Sequence, residues 1–219
     1  MDISFADFAN AGAMWMCLVA LLSFHEFGHA WAAYKCGDDT ARMMGRMTVN
    51  PVVHIDPVGT IFIPLAMLLL SPSFVVFGWA KPVPVNPSNL SNRKRDDILI
   101  SMAGPAMNII LAFVLMFLLR ISVELSPSIS NSEIVKQLHF IAKISLFLCF
   151  FNLIPIPPLD GSHVMRHVVG MSEEMYYSIA KWGFLILILI LNFFPIVGQV
   201  VVFFSETVLY FMYKLLLFP

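Results

Sequence analysis

Residues 11–29 read AGAMWMCLVALLSFHEFGH, an uncharged apolar run that leads directly into three ionisable side chains. On a helix, His25 and His29 lie four positions apart on one face, so both imidazoles can bind one metal ion. Glu26 projects beside them and can act as a base for a water molecule on that ion. Ionisable groups in an apolar segment are costly unless they are paired, which favours a metal site. The alternative is an interfacial helix end whose histidines contact only lipid headgroups.

The composition of the 219-residue chain is that of a membrane protein. Hydrophobic residues make up 59% and charged residues 12%, against about 45–50% and about 25% in soluble domains. We therefore predict an all-α membrane protein, a polytopic helical bundle in which residues 1–219 form a single domain in the lipid bilayer. The net charge of -1 provides no field that would attract a nucleic acid. The three cysteines show no disulfide or thiolate zinc spacing.

Polar linkers separate six apolar segments. The first four cover approximately residues 8–34, 58–80, 98–119 and 138–153, and two more lie within residues 176–219. Asn192, Pro195 and Gly198 divide that last stretch, because proline and glycine interrupt helices.

A third metal ligand is expected from another apolar segment, because catalytic zinc takes three protein ligands. The fourth segment ends in NLIPIPPLDG, residues 152–161. Its prolines cannot continue a helix, and a broken backbone at membrane depth is tolerated only where it is buried or lines a wet cavity. Asp160 follows this break and is the best candidate. The alternative is a turn aspartate that caps the next helix.

The three ligands can share one ion only if the first and fourth apolar segments run in the same direction. Two full crossings between them would make these segments antiparallel. Pro64 and the Ser71-Pro72-Ser73 break indicate a re-entrant second segment. We therefore favour five transmembrane segments plus one re-entrant segment, with six full spans as the alternative. Most lysines and arginines then lie on one face, which the positive-inside rule makes cytosolic, and the metal lies nearer that face.

These motifs resemble those of the site-2 protease family of intramembrane metalloproteases. The matches are HEFGH at residues 25–29, AGPAMN at residues 103–108 and NLIPIPPLDG at residues 152–161. NPVVHIDPVGT at residues 50–60 and GWAKPVPVNP at residues 78–87 are similar to the compact prokaryotic branch, which lacks a PDZ-like domain. The resemblance covers about four fifths of the chain.

The resemblance implies a zinc metalloprotease that hydrolyses peptide bonds within or next to transmembrane segments of a membrane-protein substrate. It implies one zinc per chain held by His25, His29 and Asp160, with Glu26 as general acid and base. Asn152 would lie by the scissile carbonyl and stabilise its oxyanion, and Asn108 would pack near the site. The prokaryotic branch implies the inner, cytoplasmic membrane. The residues leave the oligomeric state open.

His54 lies in the motif of the prokaryotic branch, and two interpretations of it weigh equally. It is either an accessory residue of the site or an ordinary linker histidine between two prolines.

Two other functions compete with proteolysis. A metal transporter would show an inverted repeat and ionisable residues spread along a path, whereas here they concentrate at one depth. A catalytically idle relative that only binds membrane proteins would not need an intact Glu26.

Overall fold

The computed structural model describes residues 5–70, 78–126, 128 and 132–217. Within these ranges the chain is helical and contains no strand. The α-helices are α1 (Phe5–Lys35), α2 (Thr40–Met43), α3 (Ile63–Leu70), α4 (Arg93–Leu125), α5 (Glu133–Asn152), α6 (Asp160–Val168), α7 (Glu173–Ala180), α8 (Gly183–Phe193) and α9 (Pro195–Leu217). Short 3₁₀ turns cover Pro51–His54 and Pro87–Asn89, and a π-helical turn covers Pro57–Phe62.

Three of the described helices, α4, α5 and α9, are long and apolar enough to cross a membrane. The pair α7 and α8, bent by 59° at its junction, is a fourth candidate when it is counted as one broken span. The prediction of an all-α membrane protein is thus confirmed at this level, while a total of five or six spans is not.

The chain divides into two compact units, residues 1–96 and residues 97–219. The second unit is built on a core shared by α4, α5 and α9. Met116 of α4 and Leu146 of α5 are fully buried, and Leu209 of α9 is 4% exposed. Burial of such apolar side chains is the main favourable contribution to packing within this unit.

The two helix breaks in the C-terminal half differ in their surroundings. As predicted, the apolar run is interrupted near Pro195: α8 ends at Phe193 and α9 begins with the proline, which is well tolerated at a first helical position. The sequence analysis did not predict the bend between α7 and α8. A Cβ atom on Gly183 would lie 2.5 Å from the carbonyl oxygen of Pro157, so α8 begins in direct backbone contact with the proline-rich segment.

The described part of the second apolar segment is irregular at its start. A π-helical turn and the eight residues of α3 account for residues 57–70. Pro64 lies within α3. The predicted break at Ser71-Pro72-Ser73 lies outside the described residues.

An extended segment, residues 78–86, runs beside residues 54–60 in the first unit. The amides of Trp79 and Lys81 donate hydrogen bonds to the carbonyls of Gly59 (3.3 Å) and His54 (2.9 Å). The buried Arg46 guanidinium donates to the Lys81 carbonyl at 2.7 Å. A side chain at Gly59 would overlap the Trp79 ring, since its Cβ would lie 2.4 Å from a ring carbon. This end of the segment is therefore fixed by backbone contacts.

Asp38 fixes the other end of the extended segment. Its fully buried carboxylate accepts hydrogen bonds from the amide of Asn86 (2.7 Å), the side chain of Asn89 (2.8 Å), and both the amide and the hydroxyl of Thr40. Burial alone raises the pKa of Asp38, but these four hydrogen bonds to the charged form outweigh it and hold the pKa below its usual range.

We expect Asp38→Asn to destabilise the protein by about 1–3 kcal/mol, because donors buried around the carboxylate lose an acceptor. A carboxyl whose pKa is lower in the folded state stabilises above its unfolded pKa of about 3.9 and loses this effect as pH falls through the folded value. The thermal midpoints of wild type and Asp38→Asn should therefore differ fully above about pH 5 and approach each other only as the pH falls below about 4. Asp39→Asn is the matched control, because Asp39 is exposed and its side chain caps nothing. Equal midpoints for the two variants throughout this range would contradict the assignment.

Candidate metal centre

His25 and His29 lie on the buried face of α1. They are 4% and 9% exposed, and Leu21 and Ala33 continue the same buried stripe one turn away on either side. Their Nε2 atoms are 3.0 Å apart, and the rings meet edge to face with centroids 4.7 Å apart. The helical spacing thus brings the two imidazoles together as predicted.

This separation fits two ligands of one zinc ion. At a Zn–N distance of about 2.0–2.1 Å and a tetrahedral angle, two ligand nitrogens lie about 3.3 Å apart. The 3.0 Å between the two Nε2 atoms is close to this value, so binding requires only a small shift of the rings.

Glu26 is held in place from outside its own helix. The backbone amide of Val83, in the extended segment, donates a hydrogen bond of 2.9 Å to Oε2 of the carboxylate. Since residues 78–86 are fixed at both ends by His54, Arg46 and Asp38, this donor is itself well positioned. A general base benefits from such a fixed orientation toward the proton that it accepts.

Asp160 is the first residue of α6 in the second unit. The N-cap position belongs to Leu159, so the structure does not make Asp160 the cap of this helix. The backbone around it is tightly folded: a Cβ atom on Gly161 would lie 2.2 Å from the carbonyl oxygen of Leu153. Only glycine fits at this position, which accounts for the Asp-Gly pair after the prolines.

The predicted ligands are of the types that zinc prefers, imidazole nitrogens and carboxylate oxygens. The first unit offers the two imidazoles of His25 and His29 on one helix, and the second unit offers the carboxylate of Asp160 at the start of α6.

Two partly buried histidine contacts orient α6, and the sequence analysis missed them. His167 Nε2 lies 2.6 Å and His163 Nδ1 3.3 Å from the carboxylate oxygens of Asp97, near the start of α4. Ser162, two residues beyond Asp160, shares a hydrogen bond of 2.9 Å with the Tyr176 hydroxyl of α7. The i, i+4 spacing of the two histidines was the available signal, but nothing local identified Asp97 as their partner.

The other predicted site residues of the second unit have structural contacts. The side-chain amide of Asn152 donates to the Leu148 carbonyl at 2.9 Å, within α5. Asn108 is fully buried in α4, and its backbone carbonyl accepts a hydrogen bond of 2.8 Å from the Ser145 hydroxyl of α5. This bond ties α4 to α5 in the stretch that precedes the proline-rich segment.

His54 is part of the interior of the first unit. It is 1% exposed, its Nε2 lies 2.8 Å from the Thr48 carbonyl, and its own carbonyl accepts from Lys81. Residues 48–54 are thereby attached to the extended segment. These contacts tie His54 to the same extended segment whose Val83 amide bonds to Glu26.

Comparison with known proteins gives consistent results. The model of "Peptidase family M50" matches residues 13–125 and 120–193. The "Putative zinc metalloprotease YwhC" of Bacillus subtilis (strain 168) is 37% identical over 180 residues, which cover 79% of this chain and 77% of that protein. No solved structure matches.

Mycobacterial relatives match over a similar part of the chain. The "Putative zinc metalloprotease Rip2" of Mycolicibacterium smegmatis is 29% identical, over 78% of this chain and 62% of its own length. The protein of the same name in Mycobacterium tuberculosis (strain ATCC 25618 / H37Rv) is 26% identical, over 80% of this chain and 64% of its own length. The chain thus spans slightly less than two thirds of these two proteins. The family match extends over most of the chain and includes the HEFGH, Gly-Pro and Asp-Gly motifs, so the chain belongs to peptidase family M50, the site-2 protease family of zinc metalloproteases.

Proposed function

We propose that this protein hydrolyses peptide bonds within or next to transmembrane segments of other membrane proteins, and that residues 1–219 act as one domain in doing so. The observation that carries the proposal is the fixed Glu26 carboxylate beside two buried imidazoles on one helix. These residues belong to an apolar, helical chain with candidate membrane spans. This supports the proposal that the substrates are themselves membrane proteins.

The catalytic work of the chain is to position a base and to orient the scissile bond. A bound zinc ion supplies Lewis-acid polarisation of the scissile carbonyl and acidifies water at the site. Glu26, oriented by the Val83 amide, accepts the proton of the attacking water and returns it to the leaving amine. A substrate helix satisfies its backbone hydrogen bonds internally, so it must unwind locally before attack.

Asp160 is proposed as the third zinc ligand, and one zinc ion per chain is expected. Its position at the start of α6, directly after the proline-rich break, supports this role. Asn152 is proposed to stabilise the oxyanion with its remaining amide proton, since the other is used by Leu148. Asn108 and His54 are proposed as accessory residues that support the elements carrying the site.

A metal transporter and an idle binding relative are the less favoured alternatives. The homologues are named as metalloproteases. The hydrogen bond to Glu26 has a direct use in general-base catalysis and none in metal transit.

We also propose five transmembrane segments and one re-entrant segment in the inner membrane of a prokaryotic cell, with the zinc nearer the cytosolic face. Pro64 within the second apolar segment and the change from a π-helical turn to an α-helix at residues 57–63 support the re-entrant arrangement, because both depart from one regular spanning helix. The remaining alternative is six full spans.

Cysteine labelling tests the topology. In a background with Cys17, Cys36 and Cys149 replaced, single cysteines at positions 39 and 92 should both react only with a reagent on the cytosolic side. They flank the re-entrant segment and so lie on one face. Reaction of position 92 from the opposite side would favour six full spans instead.

Removal of a zinc ligand should lower the metal content. We expect His25→Ala, His29→Ala and Asp160→Ala each to reduce bound zinc from one ion per chain by at least about tenfold, because each loses one of three protein ligands. The measurement is elemental analysis of purified protein. His139→Ala, at an exposed position of α5, is the matched control. Full zinc occupancy in the His29→Ala, Asp160→Ala double variant would show that the site lies elsewhere.

Glu26→Gln tests the proposed function. Glutamine keeps the volume but cannot accept the proton, so cleavage should fall by about 10²–10⁴-fold, while zinc content should be unchanged. The assay is cleavage of an unstable single-span substrate by purified protein, with and without chelator. Glu174→Gln, at an exposed position of α7, should retain full activity. A transporter predicts altered metal flux in Glu26→Gln, and cleavage that persists in this variant or survives chelation would refute the mechanism.

A further inference from the structure

An ion pair lies at the centre of two membrane-spanning helices of the second unit. Nζ of Lys143 in α5 and Oε1 of Glu206 in α9 are 2.7 Å apart. At 1.5 Å per residue, Lys143 is about 14–15 Å from either end of α5, and Glu206 about 16–17 Å from either end of α9. A bilayer hydrocarbon core is roughly 30 Å thick, so both charges lie near its mid-plane.

The protein does not enclose this pair. The Lys143 side chain is 43% exposed and the Glu206 side chain 55%. Phe140, Phe203 and Tyr210, one helical turn away on the same faces, are exposed as well. Aromatic side chains pack readily against acyl chains, but lipid offers an ion pair neither water nor counter-charges. Ionisable residues at this depth normally face protein or a water-filled cavity.

The two charges form a pattern that is complementary to itself. Two copies of a membrane protein have the same orientation in the bilayer, so a two-fold axis between them runs along the membrane normal. Such an axis places Lys143 of one copy opposite Glu206 of the other, at the same depth. Each charge then has two counter-charges, and the aromatic side chains around the pair exclude lipid from it.

We propose that the face of α5 and α9 around Lys143 and Glu206, called here the paired-charge face, is the interface of a symmetric homodimer. The charges favour a second copy of this chain as the partner. Such a copy presents its own Lys143 and Glu206 at the same depth in the bilayer. A foreign transmembrane helix would have to supply a matched pair of its own. The inference does not depend on proteolytic activity, because its test measures only the association of two chains.

The first test exchanges the two charges within the chain. The double variant Lys143→Glu, Glu206→Lys keeps an ion pair inside each chain, so its fold should be preserved. It should associate with itself as wild type does. Mixed with wild type, it would place lysine against lysine and glutamate against glutamate across the interface. We expect the mixed association to be at least about tenfold weaker than either homotypic association.

The measurement is energy transfer between donor- and acceptor-tagged full-length chains in liposomes, at increasing lipid-to-protein ratio. The matched control is Glu133→Lys, Lys136→Glu, the same exchange in an exposed ion pair at the start of α5. This control variant should mix freely with wild type.

Single reversals provide a second, independent test. Lys143→Glu carries two negative charges at the face and Glu206→Lys two positive charges, so each should associate weakly with itself. A mixture of the two single variants should regain association, because only contact between different chains restores the pairing. A monomeric wild type, free mixing of the double variant with wild type, or failure of the mixed single variants to associate would each overturn the proposal.

Discussion

The hydrogen bond from the Val83 amide to Glu26 is the contact that orients the Glu26 carboxylate in the first unit. It joins residues 57 positions apart in sequence and fixes the carboxylate relative to His25 and His29 on the same helix. The donor is a backbone group, so it does not have to be ordered from a mobile side chain when the site forms. Its position relies in turn on Asp38 at one end of the extended segment and on the Gly59 and His54 carbonyls at the other.

The part of the site that lies on one helix could be predicted from the sequence, and the part that depends on tertiary contacts could not. His25, Glu26 and His29 lie within five residues, and helical geometry alone places both imidazoles on one face. Asp160 could be named as a candidate because prolines mark the break before it, and its role as a ligand stays a prediction. The role of Asp38 could not be predicted, because its hydrogen bonds reach Asn86 and Asn89 and no sequence pattern connects these residues. The role of Asp97 could not be predicted for the same reason, because its histidine partners lie 66 and 70 residues away.

The same distinction holds for the fold. Apolar composition predicted a helical membrane protein, and Pro195 marked the start of α9 because proline acts locally on the backbone. The bend between α7 and α8 coincides with a tertiary contact, the close approach of Gly183 to the Pro157 carbonyl. Proline and glycine thus act as a pair in the second unit. Prolines interrupt the chain after α5, while Gly161 and Gly183 leave room for the interrupted backbone to fold back closely.

The mid-membrane ion pair has a consequence for how the protein is made. Lys143 leaves the ribosome 63 residues before Glu206, and α6, α7 and α8 are synthesised in between. Until α9 emerges, α5 carries an uncompensated charge at a depth where lipid cannot solvate it. The contact that offsets this cost therefore forms only after the last helix of the chain has been made. A nascent chain that stops before residue 206 lacks the ion pair that joins α5 to α9.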